Sequence, residues 1–215
     1  MRVKLVALAL AVGVLAAGLV TSPALGTKQR PPRVTVIGDS IATALDYVPT
    51  AQRQLGAGLD LKLDTKVCRR LVTSSCTYAG VTPPSALQVI RSRGSSLGGT
   101  VVVNVGYNDG ASGYAAGLDK IMRALRTAHV RQVIWVTLRQ ERSTYTETNA
   151  VIRAAARRWP HTLTVADWND WSYGQSWFGG DGLHLTGAGA EAYAEFLRPY
   201  VLEAVRAGAD VVHRT

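Results

Sequence analysis

The chain has 215 residues, of which 47% are hydrophobic and 18% are charged. This length suits one well-packed domain but not two comfortable ones, and the composition excludes a disordered chain, which would carry fewer apolar side chains. The formal net charge of +9 is compatible with anionic partners, such as charged envelope polymers or lipid head groups at a membrane surface, and equally with a soluble surface that is merely rich in arginine. The basic residues are scattered and no nucleic-acid-binding motif accompanies them, so we expect no nucleic-acid partner.

Residues 1–24 have the pattern of a secretory signal peptide. Arg2 and Lys4 precede an unbroken stretch of apolar residues and glycine, and small residues surround a cleavage point after Ala24. The alternative is an uncleaved anchor, because the stretch is almost long enough to cross a bilayer. In either case we expect a Sec-type signal and an extracytoplasmic location, secreted or in the cell envelope. Residues 25–32 are then a linker.

Strand and helix patterns alternate from residue 33 onward. Short β-branched or apolar runs predict strands, and apolar residues at helical spacing predict helices. The predicted strands cover residues 33–37, 59–67, 100–105, 132–138 and 162–166, and the predicted helices cover residues 43–55, 85–93, 114–128, 146–159 and 186–205. Strands that are apolar on both faces indicate a parallel sheet covered by helices on two sides. We expect one α/β domain over residues 33–207, followed by a polar tail over residues 208–215.

Cys68 and Cys76 are the only two cysteines of the chain. In an oxidising compartment, two cysteines this close in sequence are expected to form a disulfide. The alternative is a pair of free buried thiols. No histidine lies near them at ligand spacing, so no metal site is expected.

Three polar segments follow strands of the predicted sheet. They are Gly38-Asp39-Ser40 after the first strand, Gly106-Tyr107-Asn108-Asp109 after the third, and the loop carrying Asp181 to His184 after the fifth. In parallel α/β sheets the functional site lies beyond the carboxyl ends of the strands. The order of these segments therefore indicates one shared site.

Ser40 is the candidate nucleophile of that site. It follows a strand and precedes a helix, so it can cap the helix and expose its hydroxyl at the sheet edge. A serine hydroxyl needs a base within hydrogen-bond reach. His184, with Asp181 three residues before it, can supply this base in a Ser-His-Asp arrangement. The side-chain amide of Asn108 can donate to a developing oxyanion, as can the Ser40 N–H.

These segments resemble the signature blocks of the GDSL/SGNH superfamily of esterases. Val-Ile-Gly-Asp-Ser, ending at Ser40, resembles its first block, residues 106–109 resemble its GxND block, and residues 181–186 resemble its DxxH block. The resemblance covers essentially the whole domain. It implies a flavodoxin-like three-layer α/β/α sandwich with a five-stranded parallel sheet in the order 2-1-3-4-5, and acyl-ester chemistry that needs neither metal nor cofactor.

The second block departs from the family pattern. Within the superfamily, the chain resembles extracytoplasmic SGNH domains attached to membrane O-acyltransferases, including peptidoglycan O-acetyltransferases, which carry a Lys-Val-Gly-Arg-like segment there. In this chain residues 66–69 read Lys-Val-Cys-Arg, with Cys68 in the place of the glycine. The resemblance leaves two candidates for the third oxyanion donor, the N–H of Cys68, which we favour slightly, and Gly80.

Four further residues are candidates for substrate contact: Asp39, Arg69, Tyr107 and Trp177. Tyr107 lies inside the GxND block, where it can shape an acyl pocket. Arg69 can position an anionic group, although a solvated side chain is the simpler expectation. Trp177 belongs to an aromatic-rich loop whose side chains either stack on sugar rings or pack the loop onto the sheet.

Together these features predict an exported serine esterase that cleaves or transfers short acyl groups through an acyl-serine intermediate. O-acylated carbohydrate of the cell envelope is the expected substrate. The alternatives are a lipase or lysophospholipase acting on longer acyl chains, and a non-catalytic envelope binding protein on the same fold. The resemblance to acyltransferase-associated domains also implies a membrane acyltransferase as a partner.

Overall fold

The computed structural model of the protein describes residues 30–212. The predicted signal peptide over residues 1–24 and most of the predicted linker lie outside the described residues, as do the last three residues of the chain. No helix within residues 30–212 has both the length and the apolar character needed to cross a membrane.

Five strands form one fully parallel sheet. They are β1 (Arg33–Gly38), β2 (Asp60–Thr65), β3 (Thr100–Asn104), β4 (Gln132–Val136) and β5 (Leu163–Ala166). Their spatial order is β2-β1-β3-β4-β5, and every neighbouring pair is parallel. This topology confirms the predicted flavodoxin-like fold, and it places the carboxyl ends of β2 and β3 on either side of the end of β1.

Seven α-helices and one short 3-10 helix connect the strands within residues 30–212. They are α1 (Ala44–Tyr47), α2 (Pro49–Gly56), α3 (Ala86–Arg93), the 3-10 helix (Gly94–Leu97), α4 (Tyr114–Thr127), α5 (Ser143–Arg158), α6 (Trp168–Trp171) and α7 (Gly187–Val212).

Three predicted helices differ from the structure by more than one residue, and the short helix α6 was not predicted. Helix α5 begins at Ser143, three residues before its predicted start. The helix predicted over residues 43–55 is divided between α1 and α2, because Val48 is extended and Pro49 begins the second helix. The last helix continues beyond residue 205 to Val212. Residues 208–212, interpreted as part of a polar tail, are therefore helical, and no proline lies among them to end the helix.

The helices cover both faces of the sheet with separate apolar layers. Alternation along β4 shows this directly, because Val133 and Trp135 pack into one layer whereas Ile134 and Val136 pack into the other. Helices α3, α4 and α5 supply the first layer, and α2 and α7 pack against each other over the second. This double cover explains why the central strands read as continuous apolar runs.

A disulfide closes the loop that follows β2. Cys68 and Cys76 are bonded, with their Cα atoms 5.2 Å apart, which confirms the expected pairing. The loop as a whole runs over residues 66–85 and contains one small turn, in which Tyr78 and Val81 form an isolated antiparallel bridge. The rest of the loop has no regular structure, so its conformation depends largely on the disulfide.

We expect the double substitution Cys68→Ser with Cys76→Ser to lower the free energy of unfolding. The chain-entropy cost of so short a loop is at most about 2–3 kcal/mol. Thermal or denaturant unfolding of the variant beside the wild type measures the change. Adding a reductant should shift the wild type toward the variant and leave the variant where it is. Equal unfolding curves for the two proteins would contradict the prediction.

Candidate active site

Ser40 lies in a tight turn directly after β1. A side chain on Gly38 would place its Cβ 2.3 Å from the Cβ of Ala42, so this close approach requires glycine. The Thr43 hydroxyl donates a hydrogen bond to the Ser40 carbonyl oxygen at 2.5 Å. The expectation that Ser40 caps the following helix is wrong, because α1 begins at Ala44 with Thr43 as its N-cap residue. The Ser40 hydroxyl is therefore not used by the helix.

That hydroxyl contacts a histidine from the distant end of the chain. His184 Nε2 lies 3.0 Å from Ser40 Oγ, and His184 Nδ1 lies 2.5 Å from Asp181 Oδ2. An ionised carboxylate only accepts hydrogen bonds, so Nδ1 carries the ring proton and Nε2 is free to accept the proton of Ser40. The structure brings the three residues into one hydrogen-bonded chain.

A compact turn holds Asp181 and His184 in this relation. Asp181 Oδ1 accepts hydrogen bonds from the backbone N–H groups of Leu183 and His184, both at 3.0 Å. Gly182 makes the turn possible, because its φ of +69° is a left-handed conformation that glycine adopts without a steric cost. The hydrogen bond from the His184 ring, together with the two backbone bonds, lowers the pKa of Asp181 well below its usual value. The carboxylate is therefore ionised at neutral pH.

Further hydrogen-bond donors lie after β2 and β3, the two strands on either side of β1. Asn108 follows β3, and one hydrogen of its side-chain amide is donated to the Arg69 carbonyl oxygen at 3.2 Å. The second amide hydrogen is left for another acceptor. The backbone N–H groups of Ser40, Cys68 and Asn108 form no hydrogen bond within residues 30–212. These groups are free to converge on a negatively charged oxygen.

Cys68 and Gly80, the alternatives for the third donor, lie in different settings. Cys68 comes directly after β2, where the Lys66 N–H donates to the carbonyl oxygen of β1 residue Gly38 at 3.1 Å. Its φ of +72° is the left-handed conformation that glycine adopts most readily, as expected at a position where the resembling domains carry glycine. Gly80 instead lies in an exposed turn of the disulfide loop. The geometry favours Cys68.

Asp39 is a buried brace and not a substrate contact. Its side chain has 0% exposure, and its Oδ2 accepts hydrogen bonds from the N–H groups of Gly106 and Tyr107, both at 3.1 Å. Its Oδ1 accepts from the Ile41 N–H at 3.3 Å. Burial raises the pKa of Asp39 to about 7, against the opposing effect of these three hydrogen bonds. The predicted role in substrate contact is wrong, because no substrate reaches a carboxylate without exposed surface.

Tyr107 is also directed into the protein. It is only 8% exposed, its hydroxyl oxygen accepts a hydrogen bond from the Arg139 N–H at 2.7 Å, and its ring packs edge-on against Tyr145 with the centroids 5.2 Å apart. The expectation that Tyr107 shapes an acyl pocket is therefore wrong, because its ring and hydroxyl both serve core packing.

Both expectations for Arg69 are wrong, since it is neither a solvated surface residue nor a substrate contact. Its side chain is fully buried and forms an ion pair with Asp64 at 2.7 Å. It also donates to the carbonyl oxygens of Pro84 at 3.1 Å and Gly38 at 3.4 Å. A buried guanidinium needs such partners for its donors, and Arg69 finds them by joining the disulfide loop to β1 and β2.

Trp177 follows the packing alternative. Its ring stacks on Trp171 with a centroid distance of 4.8 Å and on the fully buried Trp168 at 6.1 Å. Its backbone carbonyl oxygen accepts hydrogen bonds from the N–H and hydroxyl of Thr186, at 2.9 and 3.0 Å. Since its ring is engaged in this cluster, Trp177 fixes the loop that leads to His184, and the predicted substrate contact is replaced by a packing role.

Arg139, just after β4, was missed by sequence reasoning. Its Nε donates to the Gly182 carbonyl oxygen at 2.7 Å, and its guanidinium also donates to the Ser172 carbonyl oxygen at 3.1 Å. The guanidinium lies 3.8 Å from the centroid of the Phe178 ring and pairs with Glu141 at 2.7 Å. These contacts hold the turn carrying His184 against the end of β4. No motif marks Arg139, and its partner Gly182 is 43 residues away.

Asp109 was singled out only as part of its block, and the structure gives it a definite contact. Both of its carboxylate oxygens lie 3.1 Å from the backbone N of Leu71, whose N–H they accept. Burial raises the pKa of Asp109 above its usual value, and the Leu71 hydrogen bond opposes this shift. The contact ties the loop after β3 to the loop after β2, in parallel with the bond from Asn108.

The arrangement has the chemical parts of a nucleophilic site. A serine hydroxyl bonded to an imidazole can lose its proton as it attacks an electrophile, and the adjacent carboxylate stabilises the imidazolium that forms. The free N–H groups can stabilise negative charge on an oxygen. Within residues 30–212, no group of three or more His, Cys, Asp or Glu side chains is arranged to hold a metal ion.

Comparisons with known proteins agree with this architecture. No protein-family model and no curated protein sequence matches the chain. Among solved structures, the C-terminal catalytic domain of Streptococcus pneumoniae peptidoglycan O-acetyltransferase A is 24% identical, with a TM-score of 0.61 over 83% of this chain and 95% of that domain.

Two further solved structures are similar over most of their length. A carbohydrate acetylesterase family member from Sinorhizobium meliloti is 16% identical, with a TM-score of 0.60 over 80% of this chain and 99% of that one. The psychrotrophic esterase EstA of Pseudoalteromonas sp. is 12% identical, with a TM-score of 0.62 over 81% of this chain and 99% of that one. The chain therefore has the SGNH fold that its sequence motifs predicted.

We expect Arg139→Met to slow the reaction of Ser40 with a sulfonyl fluoride about tenfold or more. Without the Arg139 contacts the His184 turn is less firmly placed, and small misplacements of a base have large effects on rate. Mass spectrometry follows the modification of Ser40 with time. The rate for Arg139→Lys should lie between the rates for the wild type and Arg139→Met, because lysine retains the positive charge but lacks the several N–H donors of the planar guanidinium.

The exposed Arg142 offers a matched control for this experiment. Arg142→Met should react at the wild-type rate, because Arg142 makes no hydrogen bond or ion pair within residues 30–212 that reaches the His184 turn. A wild-type rate for Arg139→Met in a folded protein would show that Arg139 does not position His184.

Proposed function

We propose that this protein is a serine esterase that hydrolyses short acyl esters through an acyl-serine intermediate. The observation that carries the proposal is the hydrogen-bonded chain from Asp181 through His184 to Ser40, with contacts of 2.5 and 3.0 Å. A non-catalytic binding protein has no need for a base aligned on an unengaged serine hydroxyl, so this geometry favours an enzyme.

In the acylation step, Ser40 Oγ attacks the carbonyl carbon of the ester while His184 Nε2 takes the hydroxyl proton. The Asp181 carboxylate, held ionised by its hydrogen bonds, stabilises the imidazolium. The tetrahedral intermediate carries its negative charge on the former carbonyl oxygen. When it collapses, the bond to the alcohol breaks, and the alcohol leaves with the proton returned by His184.

Deacylation repeats the same transfers with water. His184 removes a proton from water as the oxygen attacks the acyl-serine carbonyl, and the second intermediate releases the carboxylic acid while Ser40 Oγ recovers its proton. In both steps the Asn108 amide and the N–H groups of Ser40 and Cys68 are the donors to the oxyanion.

Hydrolysis is favoured over transfer to another acceptor by the openness of the site. The side chains of His184 and Asp181 are 52% and 51% exposed. A transferase has to keep water away from its acyl intermediate, and nothing in residues 30–212 encloses these two residues. The membrane acyltransferase partner implied by the sequence resemblance stays a prediction.

O-acylated carbohydrate outside the cytoplasm is the proposed substrate class. The similar solved structures include a peptidoglycan O-acetyltransferase domain and a carbohydrate acetylesterase, which supports short acyl groups on sugars. They also include the structure of a protein described as a GDSL-like lipase, so esters of longer acyl chains stay the alternative. The Cys68–Cys76 disulfide supports an oxidising compartment, as does the signal-like pattern of residues 1–24.

The proposal predicts that hydrolysis of 4-nitrophenyl acetate depends on Ser40. Ser40→Ala should lose at least about 10³-fold in kcat, because the nucleophile is absent. Ser95→Ala, which removes an exposed hydroxyl from the 3-10 helix, is the matched control and should retain wild-type turnover. Equal activity of wild type and Ser40→Ala would refute the proposed nucleophile.

Asn108→Ala should lower kcat by about 10²–10³ with little change in KM, because one oxyanion donor is lost only in the transition state. Gln54→Ala, which removes an exposed side-chain amide from α2, is the control for a change of the same type away from the site. The thermal stability of the variant should be measured beside its activity, because the Asn108 amide also donates a hydrogen bond to the Arg69 carbonyl oxygen. A folded Asn108→Ala variant with the wild-type kcat would exclude Asn108 from the oxyanion hole.

A further inference from the structure

A groove runs along the outer edge of β2, beside the catalytic residues but not formed by them. Its volume is about 750 Å³, which is in the range of sites that hold small organic molecules. The turn before α1 and α1 itself form one part of its lining, residues 63–67 form another, and the disulfide loop forms the third. Among the strands of residues 30–212, β2 pairs only with β1, so no described strand lies beyond this edge of the sheet.

The groove is continuous with the Ser40 turn. Thr43, which belongs to the lining, donates its hydroxyl hydrogen bond to the Ser40 carbonyl oxygen at 2.5 Å. Val67, also in the lining, directly precedes Cys68, whose N–H is a proposed oxyanion donor. The groove and the turn that carries Ser40 are therefore neighbours.

The lining combines exposed tyrosine rings and apolar side chains, such as Leu63 and Val81, with charged groups. Tyr47 is 72% exposed and Tyr78 is 61% exposed, and both belong to the groove. Asp46 and Lys66 also belong to the lining. The Asp46 carboxylate accepts a hydrogen bond from the Thr65 hydroxyl, whereas Lys66 forms no ion pair within residues 30–212.

This chemistry fits a sugar better than a lipid chain. The apolar C–H faces of a sugar ring can pack on a tyrosine ring, while its hydroxyls bond to charged and polar groups and to the phenol oxygen. A long acyl chain in the same place would remove the Lys66 ammonium from water without giving it a partner and would leave the Asp46 carboxylate with the Thr65 hydroxyl alone, which is costly.

We propose that the groove binds the carbohydrate part of the substrate, the alcohol side of the ester, and that Tyr47 and Tyr78 select O-acylated oligosaccharides over other short esters. The selectivity rests on the proposed esterase function, whereas the binding itself does not. The proposal therefore has one test that needs no turnover and one that measures catalysis.

The first test measures binding of chitopentaose to the Ser40→Ala protein by isothermal titration calorimetry or NMR. Adding Tyr47→Ala and Tyr78→Ala should raise the Kd about tenfold, the effect expected from losing two aromatic contacts. Adding Tyr173→Ala instead should leave the Kd unchanged, since Tyr173 is 83% exposed but lies outside the groove. An unchanged Kd in the Tyr47/Tyr78 variant, or no binding by the parent protein, would overturn the proposal.

The second test compares kcat/KM for O-acetylated chitopentaose with kcat/KM for 4-nitrophenyl acetate. The ratio of the two should fall about tenfold in the Tyr47→Ala/Tyr78→Ala variant and stay constant in Tyr173→Ala. A constant ratio in the double variant would overturn the selectivity. If the wild type hydrolyses neither ester, the proposed esterase function fails, and the binding test still decides whether the groove holds a saccharide.

Discussion

The geometry of the site depends first on the buried carboxylate of Asp39, which ties the loop after β1 to the loop after β3. Its oxygens accept the N–H groups of Ile41, Gly106 and Tyr107, which would otherwise be buried without partners. Burial raises the pKa of Asp39 from 3.8 to about 7. The unfolded chain therefore ionises first, so this group makes the fold less stable as pH rises between these values. The fold tolerates this loss of stability because the hydrogen bonds that Asp39 accepts fix Ser40 beside Asn108.

A disulfide and a buried ion pair hold the loop after β2 in place. Cys68 has a left-handed backbone, which costs a non-glycine residue about 1–2 kcal/mol, and its disulfide to Cys76 offsets a cost of that size. Arg69, the next residue, is buried in an ion pair with Asp64. A residue other than glycine can therefore occupy this position, and its N–H keeps no hydrogen-bond acceptor within residues 30–212.

The sequence predicted those parts of the fold and site that depend on strand patterns and on local turns. Apolar strands alternating with helices determined the sheet, and the carboxyl ends of its strands determined where Ser40 and His184 would meet. No pattern in the sequence indicates whether a given side chain points into the protein or toward solvent. Arg69 reads as a surface residue, and only the arrangement of carbonyl groups around it explains its burial. Arg139 reads as one of many arginines, because its partner Gly182 is adjacent only in three dimensions.

The catalytic parts differ in how firmly they are held. Ser40 is set by a buried carboxylate and by a glycine contact that tolerates no side chain. His184 lies on a half-exposed turn whose link to the end of β4 is the Arg139 guanidinium. The backbone hydrogen bonds that Asp181 accepts fix His184 relative to the carboxylate, and the hydrogen bonds of Arg139 fix the whole turn relative to the end of β4. The rate of the proposed reaction therefore also depends on Arg139, although this residue touches neither the nucleophile nor its base.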